Sequence, residues 1–148
     1  MHQVNKKMEK QINLLMRKFM ESMMQRLPYH NPDHAIDVAQ TAVQLAENEG
    51  CSEKERELLY ASGIFHDIVY QIGAPYGKNE EKSALLAELA LKDDVFSAED
   101  TREIQRVIMT TCFPPKEEPK DILEKIIRDA DIANTGRADF WEKSKAIF

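Results

Sequence analysis

Apolar residues recur at helical spacing through most of the chain. Met8, Ile12, Leu15, Met16, Phe19, Met23 and Leu27 fall on one stripe, the pattern of a helix that buries a single face. It predicts a helix over 8–27 that Pro28 ends, with the methionines as adaptable core filler. Asn31-Pro32 marks the next start, because Asn suits the cap and Pro the first helical position. That helix should reach Glu49, with Gly50 as its C′ residue. Ser52-Glu53-Lys54-Glu55 is a capping box. It opens a helix through Leu58, Leu59, Ala61, Ile64 and Phe65 that ends at His66-Asp67.

Residues 68–78 hold Gly73, Pro75 and Gly77 and read as a loop. Asn79 is the expected cap of a helix running to Leu91, and Ser97 that of another running to Thr110 or Thr111. Phe113-Pro114-Pro115 and Pro119 predict an extended connection. Helices over 121–132 and 138–148 complete the pattern, the last carrying Trp141. No strand pattern, repeat or low-complexity segment interrupts it. The expected fold is all-α: a single helical-bundle domain of six or seven helices over 1–148, with short connections.

Composition narrows the function. A net charge of −6 and a pI near 5.3 argue against a binder of DNA or RNA duplexes, which needs a clustered basic surface. No apolar stretch approaches the ~20 residues of a membrane span. Met-His-Gln-Val-Asn-Lys-Lys leads into an amphipathic helix rather than a signal peptide. Cys51 and Cys112 are too few for a disulfide scaffold, and free thiols fit a cytoplasmic protein. The apolar, uncapped Ile147-Phe148 suggests that the natural chain continues. No feature specifies an oligomeric state.

The candidate chemistry is histidine and aspartate. His34 falls on the first turn of its helix, His66-Asp67 ends another, and Asp129 and Asp131 lie near the end of a third. Two imidazoles and two carboxylates from different helices can form a shell for a divalent transition metal. A lone histidine or a lone His-Asp pair carries little weight, and a helix wheel leaves Asp129 and Asp131 flanking the apolar stripe on opposite sides.

The surrounding residues are more specific. The segment Tyr29-His30-Asn31-Pro32-Asp33-His34-Ala35-Ile36-Asp37-Val38 resembles a Tyr-His-Asn-x-x-His-x-x-Asp-Val segment of HD-domain phosphohydrolases, especially the branch of cyclic nucleotide phosphodiesterases. Phe65-His66-Asp67-Ile68 is similar to the His-Asp doublet that defines the superfamily, and Asp129-Ala130-Asp131-Ile132 to its closing Ala-Asp-Leu element. Asn79-Glu80-Glu81-Lys82-Ser83-Ala84 and Gly136-Arg137-Ala138-Asp139-Phe140 resemble small bacterial HD proteins. The likeness covers residues 25–145. It implies an all-helical domain, with a helix over 1–28 leading into a metal-binding core over 29–148. It also implies hydrolysis of a phosphate ester of a nucleotide or related small compound.

By the same resemblance, His34, His66, Asp67 and Asp131 match the metal ligands, and Asp67 also orients the attacking water. His30 matches the histidine that protonates the leaving oxygen, a task its ordinary pKa suits; it can equally shape the turn before Asn31. The chain has no histidine after His66, whereas two-metal members place more histidines there. One divalent ion from the series Mn, Fe, Ni, Co, Zn or Mg is therefore expected.

Glu81, Lys82 and Arg128 are candidates for substrate contact. Glu80 and Glu81 also favour the positive end of a helix dipole, and a helical lysine is usually solvated. Asp37 is a candidate partner of His34, and Tyr70 and Phe113 can stack on a base or simply pack. Two further function classes compete. One is a metal- or nucleotide-binding module without turnover. The other is an HD-type oxygenase with two irons, which needs a richer histidine set.

Overall fold

The computed structural model describes residues 4–23, 32–71 and 73–135. They form α1 (Lys6–Met23), α2 (Pro32–Asn48), α3 (Glu53–Phe65), α4 (Lys78–Leu91), α5 (Ala98–Met109) and α6 (Ile122–Thr135). Among the described residues the only β pairing is an isolated bridge between Lys92 and Phe96, so the fold is an all-α bundle. No helix of the described residues is long and apolar enough to cross a membrane. The expected helix over 138–148, Trp141, the cap Asn31 and His30 lie outside the described residues.

Local signals set most boundaries. Ser52 Oγ accepts from Glu55 N at 3.1 Å while Glu55 Oε1 accepts from Ser52 N at 2.8 Å, the reciprocal capping box. Ser97 Oγ accepts from Asp100 N at 3.1 Å. Gly50 closes α2 at φ 74°, a left-handed conformation that glycine adopts at little cost.

The start of α4 departs from expectation. Gly77, at φ 79°, takes the cap position without a side-chain bond, and Asn79 lies one residue inside the helix. Its side chain instead reaches back to Gln71, accepting from the backbone N at 3.0 Å and donating to the backbone O at 3.2 Å. Ser83 Oγ bonds Val69 N at 3.0 Å and Val69 O at 3.3 Å. These two side chains tie the loop after His66-Asp67 to α4. Asn79 clasps a loop rather than capping a helix because the loop's backbone groups offer it partners that propensity cannot foresee.

α2 is the central helix. Ala35, Ala39 and Val43 join a core shared with α1, α3, α4 and α5, while Val38, Ala42 and Ala46 join a second core shared with α6. A helix buried on two sides needs small residues where its neighbours approach. At the crossing with α3 the approach is closest: a Cβ on Gly63 would lie 2.7 Å from Ala39 Cα and 2.9 Å from Ala39 N. From Leu58 to His66, α3 is buried on every side, so it shows no amphipathic stripe.

Candidate metal centre and the recess beside it

Three helices bring the donors together. The first turn of α2 holds His34, the end of α3 holds His66 and Asp67, and the last turns of α6 hold Asp131. One ligand atom from each lies within 4.8 Å of every other. His66 Nε2 is 3.2 Å from Asp67 Oδ2 and 3.3 Å from Asp131 Oδ1; His34 Nε2 is 3.8 Å and 3.9 Å from the same two oxygens. Two donors each bound at about 2.1 Å to a common ion would be about 3–4 Å apart, so the four residues fit a shared cation.

The state of His66 supports that fit. Its Nδ1 lies 2.6 Å from the Gly63 carbonyl oxygen. A carbonyl only accepts, so Nδ1 carries a proton and the neutral ring presents a lone pair at Nε2. That atom is buried and makes no well-directed hydrogen bond, although two carboxylate oxygens stand beside it. Burial alone would lower the pKa of His66, but the charges of Asp67 and Asp131 outweigh it and hold the ring well above its ordinary value. The cluster therefore calls for positive charge at Nε2, from a proton or from a metal ion.

The centre has a closed floor and an open rim. His34 and His66 are each 1% exposed, whereas the side chains of Asp67 and Asp131 are 20% and 28% exposed. Solvent or a ligand reaches the centre from the carboxylate side. Asp129 points elsewhere: it is exposed and pairs with Lys125 at 2.9 Å. Residues two apart on one helix face in widely different directions.

A recess of about 430 Å³ lies between the start of α4, the end of α5 and α6, and none of the four donors lines it. Arg128, three residues before Asp131 and so on the same side of α6, lines it together with Glu81. Glu81 is exposed and 3.5 Å from Lys78. Lys82 is exposed and does not line the recess. Glu80, rather than Glu81, turns inward, within electrostatic reach of Tyr70, Tyr76 and Cys112. Burial, with Glu80 next to it, pushes the Cys112 thiol up to about 11, so it stays protonated at neutral pH. Burial and the charges of Asp67 and Glu80 likewise raise Tyr70.

Asp37 lines a second, polar recess with Thr41 and Asn134. Phe113 is 81% exposed, so it is not a core residue.

The model of the HD domain family matches residues 33–135. The chain belongs to the HD-domain family. No curated protein and no solved structure matches it. HD domains are in general metal-dependent hydrolases, and the matched span contains all four converging donors of this one.

Two contributors were not foreseen from sequence. Gly63 supplies both the close helix crossing and the acceptor that orients His66; a glycine inside a helical pattern was the available signal. Thr110 holds Arg128, and nothing local in the sequence marks it.

Proposed function

We propose that this HD domain is a metal-dependent phosphohydrolase that cleaves a phosphate ester of a small, nucleotide-like compound with activated water. The observation that carries the reading is the convergence of two buried imidazoles with two partly exposed carboxylates, His66 Nε2 being aimed between the carboxylates. On this reading His34, His66, Asp67 and Asp131 hold one divalent cation, of the series Mn, Fe, Ni, Co, Zn or Mg. A cation held there supplies Lewis acidity toward a phosphoryl oxygen and lowers the pKa of water.

The chain's own groups do the rest. Asp67, on the solvent side, orients the attacking water and accepts its hydrogen bond. His30, just before α2, protonates the leaving oxygen from outside the ligand set. Arg128 neutralises phosphate charge. Glu81 sits at the rim of the recess, and Lys82, facing solvent, adds at most a peripheral contact.

The test is a panel of phosphate esters with added Mn, Mg, Ni, Co or Fe, read by phosphate release and metal content. Release should vanish in His66→Ala and Asp67→Ala. His30→Ala should lower turnover by ~10²–10⁴-fold with metal content unchanged; loss of the metal would reassign His30 as a ligand. Tight metal binding with no release from any ester would make the domain a binding module. Two iron equivalents per chain would favour the oxygenase class.

A further inference from the structure

Two arginines line the same recess, and only one of them is neutralised. Arg106 is saturated: Nη1 meets Glu124 Oε2 at 2.6 Å, and Nη2 meets Glu103 Oε1 at 3.0 Å and Asp121 Oδ2 at 2.9 Å. Arg128 forms no ion pair among the described residues. Its Nε donates to Thr110 Oγ1 at 2.8 Å and Thr110 O at 3.2 Å, both neutral acceptors. Those two bonds fix the plane of the guanidinium and leave its terminal nitrogens as a fork. A half-buried cation without a counter-charge is costly unless an anion completes it, and a guanidinium fork matches a phosphate bidentately.

The position and walls of the recess add to this. Arg128 stands one helical turn from Asp131, about 5 Å along the axis. Lys116 lies 4.5 Å over the Tyr76 ring, and both residues line the recess, so its lining combines a cation with an aromatic face. The volume of about 430 Å³ suits a compound of nucleotide size.

We propose that this recess is an anion subsite anchored by Arg128, so that the preferred ligand carries two phosphoryl groups, one at the metal centre and one at Arg128. The proposal rests on the phosphohydrolase reading for the first phosphate only; the second contact is a binding claim of its own.

Binding to the Mn-loaded protein tests it by calorimetry, with orthophosphate and a nucleoside 5′-monophosphate against pyrophosphate and a nucleoside 3′,5′-bisphosphate. The wild type should prefer at least one two-phosphate probe over its one-phosphate counterpart by about 10–100-fold, the range of a charge-assisted hydrogen bond. Arg128→Gln should abolish that preference by weakening each two-phosphate probe far more than its one-phosphate counterpart. Arg128→Lys, which keeps the charge without the fork, should retain part of it. Lys125→Gln, on an exposed position of α6 paired with Asp129, should change nothing, and unaltered far-UV circular dichroism should show that each variant folds. Equal preference in wild type and Arg128→Gln, or no preference in the wild type, overturns the subsite. If Arg128-dependent binding persists while no ester is hydrolysed, the subsite stands and the hydrolase reading falls.

Discussion

The floor and the rim of the metal centre are held by different kinds of interaction. On the floor, His34 and His66 sit on helices whose backbones nearly touch at Ala39 and Gly63. Neither imidazole can shift without moving a helix through a close-packed core. On the rim, Arg128 is held by hydrogen bonds to Thr110, and the loop after Asp67 by Asn79 and Ser83. Such contacts reorganise locally. On the proposed phosphohydrolase reading, the floor sets metal affinity and the rim sets which ligand is accepted.

The largest expected effect lies at the border between the two. Asp131→Asn should lower metal affinity by more than the about 10–100-fold typical of losing an outer partner of a ligand, because an amide is a weaker donor than a carboxylate. Asp129→Asn should retain the metal, since Asp129 is engaged by Lys125. Elemental analysis of the two proteins after dialysis decides, and the reverse pattern would put the last ligand on the wrong side of α6.

Breaking the floor comes next. Gly63→Ala forces a methyl group against the Ala39 backbone, an overpacking that costs about 1–3 kcal/mol and a melting temperature lower by about 2–4 °C per kcal/mol. It should weaken metal binding as well, since His66 hangs from the Gly63 carbonyl. Gly50→Ala sharpens the contrast. It meets no atom within 4 Å but sits at φ 74°, so it should cost about 1 kcal/mol and leave metal affinity alone. Equal metal affinity in wild type and Gly63→Ala would uncouple the helix crossing from the centre.

The smallest effect is a pH dependence of the metal-free protein. The folded pKa of His66 is raised above its ordinary 6.5, so the folded state keeps a proton that the unfolded chain releases. That stabilisation is complete below 6.5 and fades as pH rises through the raised value. Melting temperature in chelator should thus fall over that window, and His66→Gln should flatten the slope. Added Mn should reverse the trend, because metal binding displaces the proton and strengthens with pH. A chelated protein that gains stability across the window would refute the assignment.

Much of this was legible along the chain. The apolar periodicity of α1 and α6, the caps Ser52 and Ser97 and the terminator Gly50 depend on residues within a turn or two of one another. The short motifs around His34, His66-Asp67 and Asp131 carried the family resemblance. α3 was placed by its capping box rather than by its periodicity, because a helix buried on all sides has no stripe to read.

By itself, then, the sequence determined which of the described segments are helical, since most helix starts, stops and faces follow from local hydrogen bonding and periodicity. The resemblance already favoured Asp131 over Asp129; helix geometry did not, and the tertiary structure decided the orientations. It turned Asp131 toward the histidines and Asp129 toward Lys125, Glu80 inward and Glu81 to the rim, and Asn79 onto Gln71 instead of a helix end. It also brought Thr110 to Arg128 and Ala39 onto Gly63. The approach of Asp131 to the histidines, of Thr110 to Arg128 and of Ala39 to Gly63 depends on where helices distant in sequence cross, and those crossings are fixed by packing among side chains that no local window contains.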